Sequence, residues 1–215
     1  MPKLTILLLA FLLMTHINLL AGSRLRGLIN TVAVQGILIG LLLIVSVPFS
    51  QITLHILIVS IVSCIIKGIV LPRTLLKAVD EIRIRREVEP FIGYTASMLI
   101  GLLMGGITIW ICARVNLPKI FGNAFFGPVA LFTIMVGLFL LVSRSKAITQ
   151  VLGYLVLENG IFVFGVSLGL EQSLLVELGI LLDVFVGVFA MGIATHYINY
   201  QFNDIDTDNL NGLKG

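Results

Sequence analysis

Apolar runs of about twenty residues recur along nearly the whole chain, and no other feature restricts its fold as much. A bilayer core about 30 Å thick is crossed by ~20 mostly apolar helical residues. Seven segments meet that length: 3–21, 27–47, 51–72, 91–114, 126–143, 148–169 and 173–198. Composition points the same way. Of 215 residues, 58% are hydrophobic and 12% charged, with mean hydropathy +1.11, whereas soluble domains carry about a quarter charged residues. Soluble, disordered and nucleic-acid-binding classes are excluded. An all-α polytopic membrane protein with about seven transmembrane helices is expected.

Pro2, Pro48, Pro72, Pro90, Pro118 and Pro128 fall at or near the ends of these segments, where a missing N–H costs least. The first segment has one cation before it, Lys3, and two just after, Arg24 and Arg26. That is the reverse of a signal peptide's charge order, so it reads as a retained helix. Cys64 and Cys112 lie inside apolar runs, 48 residues apart and without a CxxC, and frame neither a metal site nor a disulfide.

Seven spans put the termini on opposite sides. One side holds Lys3, Arg114 and Lys119. The other holds ten cations: Arg24, Arg26, Arg73, Lys77, Arg83, Arg85, Arg86, Arg144, Lys146 and Lys214. By the positive-inside rule the second side is cytoplasmic, with the N-terminus outside and the C-terminus in the cytoplasm. The connection 73–90 has Leu75, Val79 and Ile82 at helical spacing, with five cations and four acids. An amphipathic helix at the interface and a solvated loop both fit it, and its near balance of charge suits a protein partner better than an anionic lipid surface.

Four ionisable residues lie inside spans: Lys67, Glu158, Glu177 and Asp183. Each costs at least ~2.5–3.5 kcal/mol near the bilayer centre and is a functional hypothesis by default. At a rise of about 1.5 Å per residue, Glu158 and Asp183 both lie ~15 Å deep, near the midplane. Glu177 is expected about 6 Å from the outer face, and Lys67 about 7 Å from the cytoplasmic end of the third span. Low dielectric disfavours the charged form of an ionisable group, and groups so tuned can exchange protons near neutral pH. The plainer alternatives are a buried pair between Lys67 and one acid, or snorkelling for Lys67 and Glu177. Three acids against one lysine leave two carboxylates that a single pair does not satisfy.

Other motifs carry less. His16 and His196 are both near the cytoplasmic side, where a bis-histidine haem competes with ordinary interfacial placement. The string 165–169 has the look of an intramembrane serine protease, but Ser167 and His196 lie near opposite faces, so no dyad forms. Gly101 and Gly105 form a GxxxG packing surface. The second span begins after Ser23-Arg24 and contains Gln35-Gly36-Ile37, while the sixth begins after Ser143-Arg144 and contains Glu158-Asn159-Gly160-Ile161. This echo suggests a degenerate three-helix repeat, with Gln35 the neutral counterpart of Glu158. The expected organisation is a three-helix unit at 1–72, the connection 73–90, a fourth helix and linker at 91–125, a three-helix unit at 126–198 and a polar tail at 199–215.

The stretch 152–160, LGYLVLENG, followed by 176–183, VELGILLD, resembles the membrane subunit called component E of hydrogenase-4. The ending DNLNGLKG and IKGIVLP at 66–72 are similar to that family as well. The resemblance implies that the last three helices are like the small K-type subunit of respiratory complex I and of Mrp antiporters. That subunit carries membrane carboxylates on its second and third helices. Glu158 matches the first of them by position, and Glu177 and Asp183 both remain open for the second.

What the resemblance implies is a subunit of a membrane-bound group 4 [NiFe]-hydrogenase or formate hydrogenlyase-type complex in a bacterial or archaeal cytoplasmic membrane. Nickel–iron and iron–sulfur centres would belong to partner subunits, since two cysteines cannot ligate them here. Antiporter-like and other membrane subunits would be the partners. This chain, with no active site or cofactor of its own, would contribute Glu158, Asp183, Glu177 and Lys67 to a proton or Na⁺ path. The alternatives are a subunit of a cation/proton antiporter without a redox partner and a purely structural packing subunit.

Overall fold

The structure is a computed structural model that describes residues 2–49, 52–81, 91–115 and 125–168, with 179, 182–183, 185–187 and 192 beyond them. Its helices are α1 (Pro2–Ala21), α2 (Leu25–Ser46), α3 (Leu54–Ile65), a π turn (Ile66–Val70), α4 (Leu71–Glu81), α5 (Tyr94–Arg114), α6 (Phe126–Ser143) and α7 (Ala147–Leu168). Among the described residues six helices are long and apolar enough to cross a membrane, with α3, the π turn and α4 forming one of them. The chain is an all-α polytopic membrane protein. Of the seventh expected span, only Gly179, Leu182, Asp183, Phe185, Val186, Gly187 and Gly192 are described, all helical. Glu177, His196 and Ile82 lie outside the described residues.

The third span departs from expectation. The chain does not stop at Pro72 but continues as helix from Leu54 to Glu81. Proline in a helix interior lacks an N–H, and its ring opposes the carbonyl four residues earlier. Here the preceding turn is widened: Leu71 N–H donates to Ile66 O, five residues back. The chain therefore passes Pro72 without breaking. Lys67 is corrected accordingly. It sits in the middle of a long helix, about 20 Å from each end, rather than near a cytoplasmic end, and it is buried, so it does not snorkel. Beyond Pro72, α4 buries Leu75, Ala78 and Val79.

Lipid provides no hydrophobic drive between helices, so close backbone approach through small residues matters most. Helices α6 and α7 show this. A Cβ at Gly137, Gly153 or Gly160 would overlap backbone atoms of Leu157, Leu141 or Ile134 on the facing helix. Gly101 and Gly105 on α5 instead take side chains, Leu20 of α1 and Phe132 of α6. The outer face of α5, with Leu99, Leu102, Leu103, Ile109 and Trp110, is exposed and apolar, as a lipid-contacting surface requires.

The interior divides into two apolar clusters. One includes Leu19, Leu28, Val32, Leu71, Val136, Leu155 and Val156. The other includes Leu12, Ile39, Val59, Ala130, Phe162 and Val163. On each helix that contributes to both, a polar residue falls between the two sets: Thr15 and His16 on α1, Gln35 on α2, Lys67 on the π turn, Thr133 on α6, Glu158 and Asn159 on α7. The helices thus share one buried polar layer at mid-height.

Candidate functional site: a buried lysine between two carboxylates

The polar layer centres on Lys67. Its ammonium donates to Glu158 Oε1 at 2.7 Å and to Asp183 Oδ1 at 3.3 Å, and lies 3.1 Å from Asp183 Oδ2. All three side chains are at most 5% exposed. The π turn, α7 and the helical residues around Asp183 each supply one of them. Glu158 Oε2 has no hydrogen-bond partner among the described residues.

Local sequence explains the approach. Gly36 on α2 lies against the Lys67 backbone, and a Cβ there would come within 2.7 Å of the Lys67 carbonyl oxygen. That carbonyl is special. In a regular helix it would accept from Leu71 N–H, which the π turn diverts to Ile66 O, and one position further on, Pro72 has no N–H to offer. π turns inside α-helices are rare and frequent at functional sites. Gly179 faces Glu158 on the other side, where a Cβ would stand 3.2 Å from Oε1. Tyr154, one turn before Glu158 on α7, has a buried hydroxyl without a hydrogen-bond partner among the described residues, and so does Ser63, one turn before Lys67.

Charge counting defines what such a cluster can do. One ammonium faces two carboxylates, so the fully ionised cluster carries a formal charge of −1 in a dry interior. Burying an uncompensated charge is costly. Uptake of one proton, or of one monovalent cation, makes the cluster neutral. Its resting chemistry is therefore poised on the gain or loss of a single positive charge.

Of the four residues singled out from the sequence, the structure brings together Lys67, Glu158 and Asp183, and Glu177 lies outside the described residues. Sequence reading missed part of the surroundings. Asn159 Nδ2 donates to Gln35 Oε1 at 3.4 Å, and Gln35 Nε2 donates to Thr15 Oγ1 at 2.7 Å. Gln35, noted only as the counterpart of Glu158 in a repeat, is fully buried and stands one hydrogen bond from Glu158's neighbour. The Gln35-Gly36 pair was the available signal, a polar residue beside a close-approach glycine. His16 is also fully buried, with its ring 5.3 Å from that of Phe132 and neither ring nitrogen hydrogen-bonded among the described residues.

With this geometry in view, likeness to known proteins can be placed. The chain is 34% identical over 155 residues to the uncharacterised protein Rv0085 of Mycobacterium tuberculosis, covering 69% of this chain and 68% of that protein. It is 31% identical over 117 residues to hydrogenase-4 component E of Escherichia coli strain K12, covering 53% of this chain and 54% of that protein. Component E of Shigella flexneri gives the same values. The chain thus matches about half the length of the component E relatives. No family model matches the chain, and no solved structure does.

Proposed function

This chain belongs to the same family as the mycobacterial protein Rv0085, and from that premise we propose that it is a membrane subunit of a hydrogenase-type respiratory complex, contributing its buried charges to ion translocation. The likeness to hydrogenase-4 component E supplies the kind of complex. The observation that carries the reading is the Lys67–Glu158–Asp183 cluster itself, a lysine held between two acids from separate spans. A subunit that only filled space would be better served by apolar residues, since replacing buried ion pairs with hydrophobic side chains is often neutral or stabilising.

In this reading the cluster passes one positive charge at a time. A proton arriving on a carboxyl oxygen neutralises it, and a change of charge on a neighbouring group drives the proton onward. Groups this strongly coupled titrate as a unit. Na⁺ would serve the same charge balance, with carboxylate oxygens as its ligands. The redox chemistry belongs to partner subunits holding nickel–iron and iron–sulfur centres, and the nearest membrane partners are antiporter-like. The membrane is the cytoplasmic membrane of a bacterium or archaeon, with the end that gathers Arg24, Arg26 and Arg144 facing the cytoplasm, as the positive-inside rule requires.

The test is ion pumping by membrane vesicles carrying the complete complex, with Glu158→Gln and Asp183→Asn against the unaltered chain. The expected result is lost pumping with redox turnover intact when an artificial electron carrier relieves coupling. Unchanged pumping in both variants would refute the relay.

A further inference from the structure

Two cross-helix hydrogen bonds join α1 to α2, one helical turn apart. Asn18 Nδ2 donates to Thr31 Oγ1 at 2.7 Å, and Gln35 Nε2 donates to Thr15 Oγ1 at 2.7 Å. Residues three or four apart are neighbours on a helix surface, so Asn18 and Thr15 line one face of α1, while Thr31 and Gln35 line the facing side of α2. The second of these bonds continues to α7, where Asn159 Nδ2 donates to Gln35 Oε1. Asn159 is next to Glu158. A polar seam therefore runs from α1 through Gln35 to α7, where it ends beside the charged cluster.

Depth gives the seam a direction. At about 1.5 Å per residue, Asn18 lies roughly 4 Å from the α1 end at Ala21, and Thr31 roughly 9 Å into α2. Gln35 lies about 15 Å in, at mid-height. On α1 Asn18 is exposed and Thr15 half-buried, while Thr31, Gln35 and Asn159 on the facing helices are buried. Past Gln35, toward the opposite end, Leu9, Leu12, Ile39, Leu42 and Leu43 pack in one apolar cluster. The Asn18–Thr31 and Gln35–Thr15 bonds lie between the Ser23–Arg24 end and mid-height.

We propose that Asn18, Thr31, Thr15, Gln35 and Asn159 form a half-path that connects the aqueous face at the Ser23–Arg24 turn to Lys67, Glu158 and Asp183. This rests on the ion-translocation reading above and adds the route of access. Thr31 and Thr15 accept these bonds and donate to Gly27 O and Leu12 O of their own helices; since a hydroxyl both accepts and donates, each passes a proton by turning from its carbonyl toward the seam. The amides of Asn18, Gln35 and Asn159 fix the orientation of the seam, and solvent completes the links that an amide does not carry. The step is a proton transfer alone. A proton leaves the aqueous face and binds a carboxyl oxygen of Glu158 or Asp183, the cluster's formal charge rises by one, and no electron moves.

The test compares Thr31→Val/Gln35→Met with Thr31→Ser and Glu158→Gln in vesicles carrying the complete complex. Proton release is followed with a pH-sensitive dye, and redox turnover with an artificial electron carrier. The expected result is a roughly tenfold fall in protons moved per turnover for the double variant. Thr31→Ser, which keeps the hydroxyl, restores coupling. A packing role alone would lower assembly without changing coupling per assembled complex. Should the double variant fail to assemble, Thr31→Val alone is read in its place, because it is nearly isosteric. Unchanged coupling with Glu158→Gln uncoupled would overturn the half-path and leave the ion-translocation reading standing. Unchanged coupling in both would overturn that reading and the half-path with it.

Discussion

Lys67 donates to Glu158 across 91 positions of sequence, at 2.7 Å, and the same ammonium reaches Asp183 across 116. Removing it leaves two carboxyl groups facing each other without a counter-charge. Lys67→Met should lower stability by about 3–5 kcal/mol, the usual cost of breaking a buried pair from one side. Lys67→Met/Glu158→Gln should recover part of that loss by removing one of the stranded acids. Thermal unfolding in detergent measures both. A double variant no more stable than the single one would show that charge balance does not hold the site.

Close contact between α6 and α7 gives a sharper contrast. Alanine at Gly137 would put a Cβ into the backbone of Leu157, whereas nothing lies within 4 Å of a Cβ at Gly106. Gly137→Ala should therefore strongly reduce the amount of protein that accumulates in membranes. Gly106→Ala should be neutral or gain up to about 1 kcal/mol from helix propensity. Quantitative immunoblots of membranes distinguish the two.

Arg144, in the turn between α6 and α7, is 1% exposed and donates to Leu19 O and Leu20 O at 3.4 Å, with its guanidinium 5.7 Å from the centre of the Tyr94 ring. Burial pushes its pKa down from the ordinary value, against the opposing influence of Tyr94. The side chain satisfies carbonyls at the C-terminal end of α1, which have no partner within their own helix. Arg144→Gln should cost about 1–2 kcal/mol and lower Tm by a few degrees, roughly 2–4 °C per kcal/mol for a chain of this size. An unaltered melting curve would remove this contact from the account of stability.

The Arg26–Asp80 pair is different. Its side chains are 70% and 56% exposed, and ion pairs of that kind contribute about 0–1 kcal/mol. Asp80→Asn should leave Tm and its salt dependence unchanged. A drop comparable to that of Lys67→Met would mean that α4 is anchored to α2 chiefly by charge.

Much of the fold was legible because the hydrophobic length of a span is a local property. The runs 126–143 and 148–169 coincide with α6 and α7 to within a residue, and 3–21 with α1. The third span was misjudged at Pro72 because a proline reads as a stop unless the turn before it can widen, and that depends on neighbours such as Gly36 that are distant in sequence. The error carried over to the depth of Lys67, placed near a membrane end; its pairing with one acid was among the readings, its contact with both was not. Glu158 and Asp183 were legible because charge in lipid is expensive wherever it occurs. Thr15 and Thr31 were not, since a threonine in a span can bond to its own helix, as Thr31 also does to Gly27 O. Only helix adjacency, which periodicity does not fix, shows that their hydroxyls face another helix.

The π turn has one more consequence. Five residues occupy a stretch that a regular helix would close with four, so the rod from Leu54 to Glu81 is two rods in different phase. Ser60 and Ser63 are aligned by the first phase, and Leu75, Ala78 and Val79 by the second. Deleting a single residue between Ile66 and Val70 would bring the halves into register and turn one of them by about 100° relative to its neighbours. Either the lysine would face lipid or the buried stripe of α4 would. Loss of one residue here should thus be damaging even where Lys67 itself is kept, because length as well as side-chain identity keeps the two halves aimed at different partners.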